Sequence, residues 1–214
     1  MSADLIKIAE NNGYELDHLS YGGPIFQVKG LYTFTSDSIC LAKFVEEENI
    51  NTLVDFCSGS GIVGLEVAGR IKTNNLFMFE IQEELYNACS LTASLNTKLG
   101  HLVPVFDMVQ NAKNYCKDVD CIVCNPPYFK KGSGELSSNN SKNLARHEIA
   151  LTIEEIFVSA SEILKNKGSF YLVHIFSRDK EILKLAKKYG FKIVKEKVMD
   201  GKLSRKLYKF ILEK

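Results

Sequence analysis

The fold is decided by the stretch Thr52-Leu53-Val54-Asp55-Phe56-Cys57-Ser58-Gly59-Ser60-Gly61. Its first five residues are a short β-rich run, and the five small residues that follow are typical of a tight turn. Residues 62–71 then predict a helix, residues 75–79 predict a second strand, and Glu80 stands at the end of that strand. Strand, glycine turn, helix, strand and acid, in this order, indicate the βαβ unit of a nucleotide-binding α/β sheet.

Two glycines and two acids carry the chemistry predicted for this unit. Gly59 and Gly61 allow positive φ and let the backbone approach a ligand closely. Glu80 follows Gly61 by 19 residues, which suits a carboxylate that accepts from two ribose hydroxyls. Gly59, Gly61 and Gly64 also match the dinucleotide fingerprint. However, Asp55 would repel a pyrophosphate, and this charge argument favours S-adenosylmethionine over a dinucleotide.

A second motif, Asn125-Pro126-Pro127-Tyr128, follows the apolar run 121–124. Two consecutive prolines cannot continue a sheet ladder, so we predict a strand that ends in a stiff loop. The carbonyls of Asn125 and Pro126 can each accept a hydrogen bond, and Tyr128 offers a flat ring. This set suits a planar substrate that carries an NH2 group, although an ordinary strand-ending turn can have the same four residues.

The composition is that of a globular protein. The chain has 214 residues, of which 45% are hydrophobic and 25% charged. This predicts a core domain over residues 49–214, with an extension over residues 1–48 made of a helix, a β-hairpin and a helix packed on the core. No apolar run approaches the roughly 18 residues of a membrane helix, and the N-terminus lacks the pattern of a signal peptide. We therefore expect a cytoplasmic protein without a membrane contact.

Six cysteines lie mostly in apolar stretches and predict reduced thiols. Cys121 and Cys124 have the spacing of a metal-binding pair, but neither a second pair nor a histidine lies near them in the sequence. A strand position explains them better, so we expect no metal site.

The remaining elements complete an alternation of strands and helices. A β-hairpin is predicted from residues 25–28 and 31–34 around Lys29-Gly30. Helices are predicted at 3–11, 37–47, 82–95, 152–165 (with a capping box at Thr152) and 179–188; strands are predicted at 101–106, 169–176, 191–198 and 203–212.

The charge is distributed unevenly along the chain. Residues 165–214 carry 13 Lys and 2 Arg against 5 acids, whereas the whole chain has a net charge of +1. This pattern predicts a positive face for nucleic acid, and a lysine-rich solvated surface is the alternative. Residues 129–147 are rich in Gly, Ser and Asn, and we interpret them as a mobile loop that is either a lid or a plain insertion.

Together these features resemble the class I S-adenosylmethionine-dependent methyltransferases. Within that class the chain resembles the tRNA adenine-N6 methyltransferases that modify adenine 37 of a valine tRNA. The resemblance rests on the glycine loop, on residues 34–38, on Asn125-Pro126-Pro127-Tyr128 and on residues 145–147. Cys57 departs from the family's loop, which has its first glycine at this place. A cysteine fits there sterically if its φ stays negative; otherwise the loop must differ locally.

The resemblance implies a Rossmann-like sheet of seven strands, parallel except for a C-terminal antiparallel hairpin, with helices on both faces. It implies N6-methylation of adenine in tRNA by a monomer or weak dimer, with S-adenosyl-L-homocysteine as the product. The implied catalytic residues are Asn125, Pro126, Pro127 and Tyr128. The implied cofactor residues are Asp37, Asp55, Cys57, Gly59, Gly61, Glu80, Ile81, Asp107, Met108 and Asn125. The predicted RNA contacts are Lys130, Lys131, Arg146, His147, Lys202, Arg205 and Lys206.

One implied role has an equal alternative. In the family, an acid at the position of Asp107 bonds the adenine amine of the cofactor, but Asp107 can equally be the N-cap of the segment that follows it.

Other functions share parts of this pattern. Release-factor glutamine N5-methyltransferases have the same Asn-Pro-Pro-Tyr motif, but they carry a longer helical N-terminal domain. Guanine-N2 methyltransferases of ribosomal RNA use a similar motif. A non-catalytic nucleotide-binding module would keep Gly59, Gly61 and Glu80 but would not need Asn125 and Tyr128. A dehydrogenase would instead reduce NAD.

Overall fold

A computed structural model describes residues 3–31, 35–130, 147–148, 151–199 and 204–214. The α-helices are α1 (Ala3–Asn12), α2 (Ser36–Phe44), α3 (Ile62–Arg70), α4 (Glu83–Leu95), α5 (Ile153–Ile163) and α6 (Asp179–Lys188). The strands are β1 (Tyr14–His18), β2 (Pro24–Val28), β3 (Asn49–Phe56), β4 (Lys72–Glu80), β5 (His101–Phe106), β6 (Val119–Cys124), β7 (Phe129–Lys130), β8 (His147–Glu148), β9 (Leu164–Ile175), β10 (Phe191–Met199) and β11 (Arg205–Leu212). Short 3₁₀ helices cover Thr97–Leu99, Val109–Asn114 and Phe176–Arg178.

Seven strands form one sheet in the order β10-β11-β9-β6-β3-β4-β5. The five strands from β9 to β5 are parallel, and β11 runs antiparallel to both of its neighbours. This confirms the predicted parallel sheet with a C-terminal antiparallel hairpin. Phe56 at the end of β3 lies opposite Phe79 of β4 and Cys124 of β6. The glycine turn, Glu80 and Asn125 therefore leave the sheet at the same edge.

Both faces of the sheet are covered by apolar side chains. On one face Phe157 of α5 is fully buried and makes ring contacts with Phe170, Phe191 and Phe210 at centroid distances of 5.5–5.6 Å. On the other face α3 is buried along residues 62–68, because it lies between the sheet and α2. Truncation of a fully buried aromatic side chain such as Phe157 typically costs about 3–5 kcal/mol, so these contacts fix the strands that position the site.

The start of α5 agrees with the prediction from the sequence, whereas its end does not. Thr152 Oγ1 accepts from the amide of Glu155 at 3.2 Å, and Glu155 accepts from the amide of Thr152 at 2.7 Å, which confirms the capping box. The helix ends at Ile163, and β9 begins at Leu164 rather than at Ser169 as predicted. Leu164 is fully buried and pairs with Val119, so tertiary pairing extends the strand through a polar stretch that shows no strand pattern.

The predicted N-terminal hairpin can be compared with the structure only in part. β2 occupies the expected residues and pairs with β1, a strand that the sequence analysis did not predict. Lys29-Gly30 does form a turn, in which the amide of Leu31 donates to Val28 O at 3.3 Å, while residues 32–34 lie outside the described part. The observed pairing buries Phe26 of β2 completely in an apolar cluster with Ala9 of α1 and Ala88 of α4.

The segment before β3 lies against the helices of the sheet. The Phe26 amide donates to Thr92 Oγ1 of α4 at 3.0 Å, and the Ser20 amide donates to a Glu66 oxygen of α3 at 2.7 Å. α2 packs along α3, with Leu41 fully buried. These contacts hold the first residues of α2 over the carboxyl edge of the sheet.

Candidate active site

The turn between β3 and α3 is held open by three residues with positive φ. Gly59 and Gly61 have φ of 56° and 89°, as predicted. Cys57 has φ of 59°, so the condition for an unstrained cysteine at this position is not met. A left-handed conformation costs a non-glycine residue about 1–2 kcal/mol. The turn keeps this shape through its backbone, since the Ser58 amide donates to Phe79 O at 2.9 Å.

Glu80 ties the end of β4 to this turn. Its carboxylate accepts from the backbone amides of Gly59, Ile81 and Gln82, each at 2.9 Å. Burial raises the pKa of Glu80, and these three backbone hydrogen bonds oppose that rise. The structure thus brings together Gly59 and Glu80, which the sequence separates by 21 residues.

Asp55, the next-to-last residue of β3, makes a hydrogen bond across the same turn. It is 1% exposed, and its Oδ2 accepts from the Gly64 amide in α3 at 2.8 Å. Burial is the main cause that raises its pKa to about 7, and the nearby charge of Glu80 adds to the rise. Asp55 therefore links the end of β3 to the first turn of α3 through this side-chain hydrogen bond.

Asp107 stands at the end of β5, next to Glu80 at the end of β4. Its Oδ1 accepts from the Met108 amide and from Asn111 Nδ2, both at 2.7 Å, and its Oδ2 accepts from the Tyr115 hydroxyl at 2.8 Å. The hydrogen bonds from Asn111 and Tyr115 lower the pKa of Asp107. These contacts give Asp107 a local structural role at the start of the 3₁₀ helix, beside the exposed side chain of Met108.

Asn125 is held at both ends of its side-chain amide. Its Nδ2 donates to Ser38 Oγ at 3.0 Å, and its Oδ1 accepts from the Tyr128 hydroxyl at 2.7 Å. Ser38 belongs to α2, so a residue far away in the sequence orients the amide. Asn125 itself is only half-buried, which leaves it accessible from the edge of the sheet.

An ion pair with a buried carboxylate lies next to this amide. Asp37 of α2, whose side chain is 3% exposed, pairs with Arg205 of β11 and also lies 3.2 Å from the Tyr128 hydroxyl. The Arg205 guanidinium lies over the Tyr128 ring at 5.8 Å from its centroid. The structure thus joins three predicted site residues, Asp37, Tyr128 and Arg205, in one cluster with Asn125.

Two further side chains support Tyr128, and the sequence analysis missed both. The ring of His174 in β9 lies 5.3 Å from that of Tyr128, and burial lowers the pKa of His174 to about 3, so this ring is neutral. Arg178 donates from Nη1 to Tyr128 O at 3.4 Å and is paired with Glu181. Ser38 was also missed; its only signal was its place in the segment 34–38.

The residues predicted to contact RNA differ in their exposure and in their ion pairs. Lys206 is 4% exposed, and its ammonium is paired with Asp179 at 2.8 Å and with Glu196 at 2.9 Å, so in this structure it does not face solvent. Arg205 is engaged by Asp37. Lys130 of β7 and His147 of β8 belong to the short parallel pair β7–β8, in which Phe129 lies opposite His147 and Lys130 lies opposite Glu148. Lys131, Arg146 and Lys202 lie outside the described residues, as does most of the predicted loop.

The chain matches the model of a known protein family. Residues 34–197 match the model of the methyltransferase small domain. The chain belongs to this family. The matched range includes the glycine turn, Asn125 and the first residues of α2, whereas Arg205 of β11 lies beyond it.

Individual relatives are more distant. The chain is 28% identical over 144 residues to a tRNA1(Val) (adenine(37)-N6)-methyltransferase of Shewanella woodyi, an alignment that covers 65% of the chain and 58% of the relative. It is 22% identical over 177 residues to the protein of the same name from Dyadobacter fermentans, with 83% and 72% covered. The chain thus spans only part of the length of each relative.

The fold is also found in solved structures. The structure of M. jannaschii TYW2 in complex with AdoMet superposes with a TM-score of 0.63 at 18% identity, over 94% of this methyltransferase and 87% of that chain. This likeness, together with the strand order, confirms the Rossmann-like methyltransferase fold.

In the stretches that the structure describes, no helix is both long and apolar enough to span a membrane. Within those same stretches, no three His, Cys, Asp or Glu side chains form a group that could hold a metal ion. The six cysteines are all free thiols.

Proposed function

We propose that this methyltransferase transfers a methyl group from S-adenosylmethionine to N6 of an adenine in tRNA, at position 37 of tRNA(Val) as in the names of its relatives. The observation that carries the proposal is the Asn125 amide, whose nitrogen is held by Ser38 and whose oxygen points to the Tyr128 hydroxyl. An oriented carbonyl beside a stiff Pro-Pro turn is an acceptor for one hydrogen of an NH2 group.

The residues at the sheet edge fit the proposed cofactor. A carboxylate has about four acceptor sites, and the described part of the chain fills three sites of Glu80 with backbone amides. One site thus remains for a ribose hydroxyl, fewer than the two that the sequence predicted. The turn at Cys57, Gly59 and Gly61 would lie under the ligand, with Asp55 holding the turn from below. Asp37, Ile81, Asp107 and Met108 stay proposed cofactor contacts.

When it is bound, S-adenosylmethionine supplies an electrophilic methyl group on a sulfonium centre. The task of the protein is to present a weak nucleophile, because the lone pair of adenine N6 is delocalised into the ring. Asn125 Oδ1 and the Pro126 carbonyl would each accept one N6 hydrogen, and Pro127 would stiffen the turn that carries them. The nitrogen would then be pyramidal, with its lone pair free for attack. Such orientation can contribute about 7–11 kcal/mol.

Proton removal does not need a strong base before attack, because the proton leaves a cationic product. The side-chain amide of Asn125 is consistent with this, since an amide is neutral and is not a strong base. Tyr128 would stack on the base. Its residue is 9% exposed, so stacking requires the surrounding side chains to shift.

The RNA part of the proposal rests on the names of the relatives and on the basic C-terminal quarter. An adenine in a loop is already partly unstacked, so it can enter the site at a lower cost than a base in a duplex. Lys130, Lys131, Arg146, His147 and Lys202 are proposed phosphate contacts. With six free thiols, we place the reaction in a reducing compartment, the cytoplasm.

The test is a methylation assay with purified protein, labelled S-adenosylmethionine, unmodified total tRNA, ribosomal RNA and a release-factor protein in parallel reactions. We expect N6-methyladenosine in one tRNA isoacceptor, identified by nucleoside mass analysis. Label in the release factor alone would contradict the adenine proposal and assign glutamine chemistry. N2-methylguanosine in ribosomal RNA would likewise contradict it. Bound cofactor without transfer to any of these substrates would contradict the proposed methylation of tRNA.

A further inference from the structure

The Tyr128 hydroxyl has one hydrogen and two acceptors within reach. Asn125 Oδ1 lies at 2.7 Å and Asp37 Oδ2 at 3.2 Å from the hydroxyl oxygen. A phenol donates a single hydrogen bond, so the two acceptors compete for it. The acceptor that receives this hydrogen decides whether the Tyr128 hydroxyl donates to the Asn125 amide or accepts from it.

The competition matters because the Asn125 amide can turn over. With the hydrogen directed to Asn125, the amide keeps Oδ1 toward Tyr128 and Nδ2 toward Ser38 Oγ. With the hydrogen directed to Asp37, the Tyr128 oxygen becomes an acceptor and favours the NH2 end of the amide. That orientation would put two donors where the proposed substrate also brings an NH2 group, and of the two proposed acceptors only the Pro126 carbonyl would remain.

The bias between the two acceptors is set by Arg205. Asp37 is a buried carboxylate, and a charged acceptor normally takes a hydrogen bond in preference to a neutral amide. Arg205 pairs with Asp37 through the same Oδ2 atom that faces Tyr128. This pairing satisfies Oδ2 and lowers its attraction for the phenol hydrogen. The shorter of the two Tyr128 contacts is accordingly the one to Asn125.

We propose that Arg205 is a positioning residue for the methyl-transfer centre: by pairing with Asp37 it keeps the Tyr128 hydrogen on Asn125 and so holds the amide oxygen in the accepting orientation. This inference rests on the proposed function. It also assigns Arg205 a different role from the phosphate contact that the sequence predicted. A phosphate contact would act on RNA affinity, whereas a positioning residue acts on turnover.

The kinetic test is a double-mutant cycle with Arg205→Gln, Asp37→Asn and the double variant. Arg205→Gln leaves a charged Asp37 to draw the hydrogen away, and we expect kcat to fall about tenfold, the effect of one hydrogen bond, with little change in KM for RNA. Adding Asp37→Asn removes that charge, and the amide introduced there can donate to Tyr128. With S-adenosylmethionine at saturation, so that a weakened cofactor contact of residue 37 does not limit the rate, the double variant should therefore recover most of the lost kcat. A double variant as slow as Arg205→Gln would overturn the proposal.

Lys197→Gln is the matched control, because it removes one positive charge from an exposed position of β10 in the same hairpin. Arg205→Lys keeps a charge beside Asp37 and should be faster than Arg205→Gln. If Arg205→Gln instead raises KM for RNA and lowers the salt dependence as a phosphate contact would, with kcat unchanged, the positioning role is contradicted.

A readout without turnover separates this inference from the proposed function. The side-chain NH2 resonances of Asn125, assigned by their loss in Asn125→Ala, report the orientation of the amide in the protein alone. We expect them to shift in Arg205→Gln and to return toward the wild-type position in the double variant. Unchanged resonances in Arg205→Gln would overturn the inference even if methylation of tRNA is found. The expected shifts would support it even if the substrate is different.

Discussion

Two polar regions meet at the carboxyl edge of the sheet, and they are built in opposite ways. The region around Gly59 and Glu80 comes from one βαβ unit, and its carboxylate is bonded to backbone amides. The region around Asn125 depends on side chains from distant parts of the chain, on α2 and β11. The first region is therefore a property of the backbone, whereas the second depends on the identity of several distant side chains.

This difference predicts that the two regions fail differently. A change in the Asn125 region should affect turnover and leave cofactor affinity intact, because the proposed cofactor contacts lie mainly on the other unit. A change in the Glu80 region should affect affinity first. The expected effects decrease from substitutions of Asn125 and Glu80 to those of Asp55 and Cys57.

Asn125→Ala should show the largest effect and separate the two regions most clearly. Without the Oδ1 acceptor we expect kcat to fall about 10²–10³-fold, the range seen when one transition-state hydrogen-bonding group is removed. The dissociation constant for S-adenosylmethionine, measured by calorimetry, should stay near that of the wild type. Near-normal turnover would remove Asn125 from the chemistry, and a large loss of cofactor affinity would show that the two regions are not separate.

Glu80→Ala should give the reverse result. It removes the acceptor of three backbone amides and of the proposed ribose hydroxyl, and we expect S-adenosylmethionine to bind about 10–100-fold more weakly, as for lost hydrogen bonds to a charged group. Glu83→Ala is the control, because Glu83 is an exposed acid in the first turn of α4. An unchanged dissociation constant in Glu80→Ala would rule out the ribose contact.

Asp55→Asn tests the region around Gly59 and Glu80 through the pH dependence of its stability. The pKa of Asp55 rises from 3.8 to about 7 on folding, so the native state holds a proton that the unfolded state has lost between these values. Its contribution to stability is thus fully present below pH 3.8 and is lost as pH rises through about 7. We expect the stability of Asp55→Asn, relative to wild type, to increase across this window in denaturant titrations. A difference that does not vary with pH would contradict the raised pKa.

Cys57→Gly and Cys57→Ala test the positive φ at this position, and we expect the smallest effect from them. Both variants remove the thiol, but only alanine keeps a Cβ in the left-handed conformation. We expect Cys57→Gly to be more stable than Cys57→Ala by about 1 kcal/mol, measured by chemical denaturation. Equal stabilities would mean that the turn relaxes to negative φ at this position.

The βαβ unit could be predicted from sequence because its information is local. Residues 52–61 contain the strand, the turn and the glycines with positive φ, and the spacing to Glu80 follows from one helix and one strand. The parallel sheet followed from the same alternation. The pairing of β1 with β2 could not be predicted, because residues 31–34 have as strong a β-pattern as residues 25–28. The folded structure shows this pairing, with Phe26 of β2 buried in one cluster with Ala9 of α1 and Ala88 of α4.

The sequence predicts the class of fold, the glycine turn, the placement of Glu80 and the exit of Asn125 from a buried strand, because periodicity and turn chemistry act over a few residues. It does not predict that Ser38 orients Asn125, that Asp37 and Arg205 flank Tyr128, or that Lys206 is buried between two acids; the folded structure shows these contacts. Hydrogen bonds and ion pairs between distant segments leave no periodic signal in the chain. They arise only when the sheet brings α2, the loop after β6 and β11 to one edge.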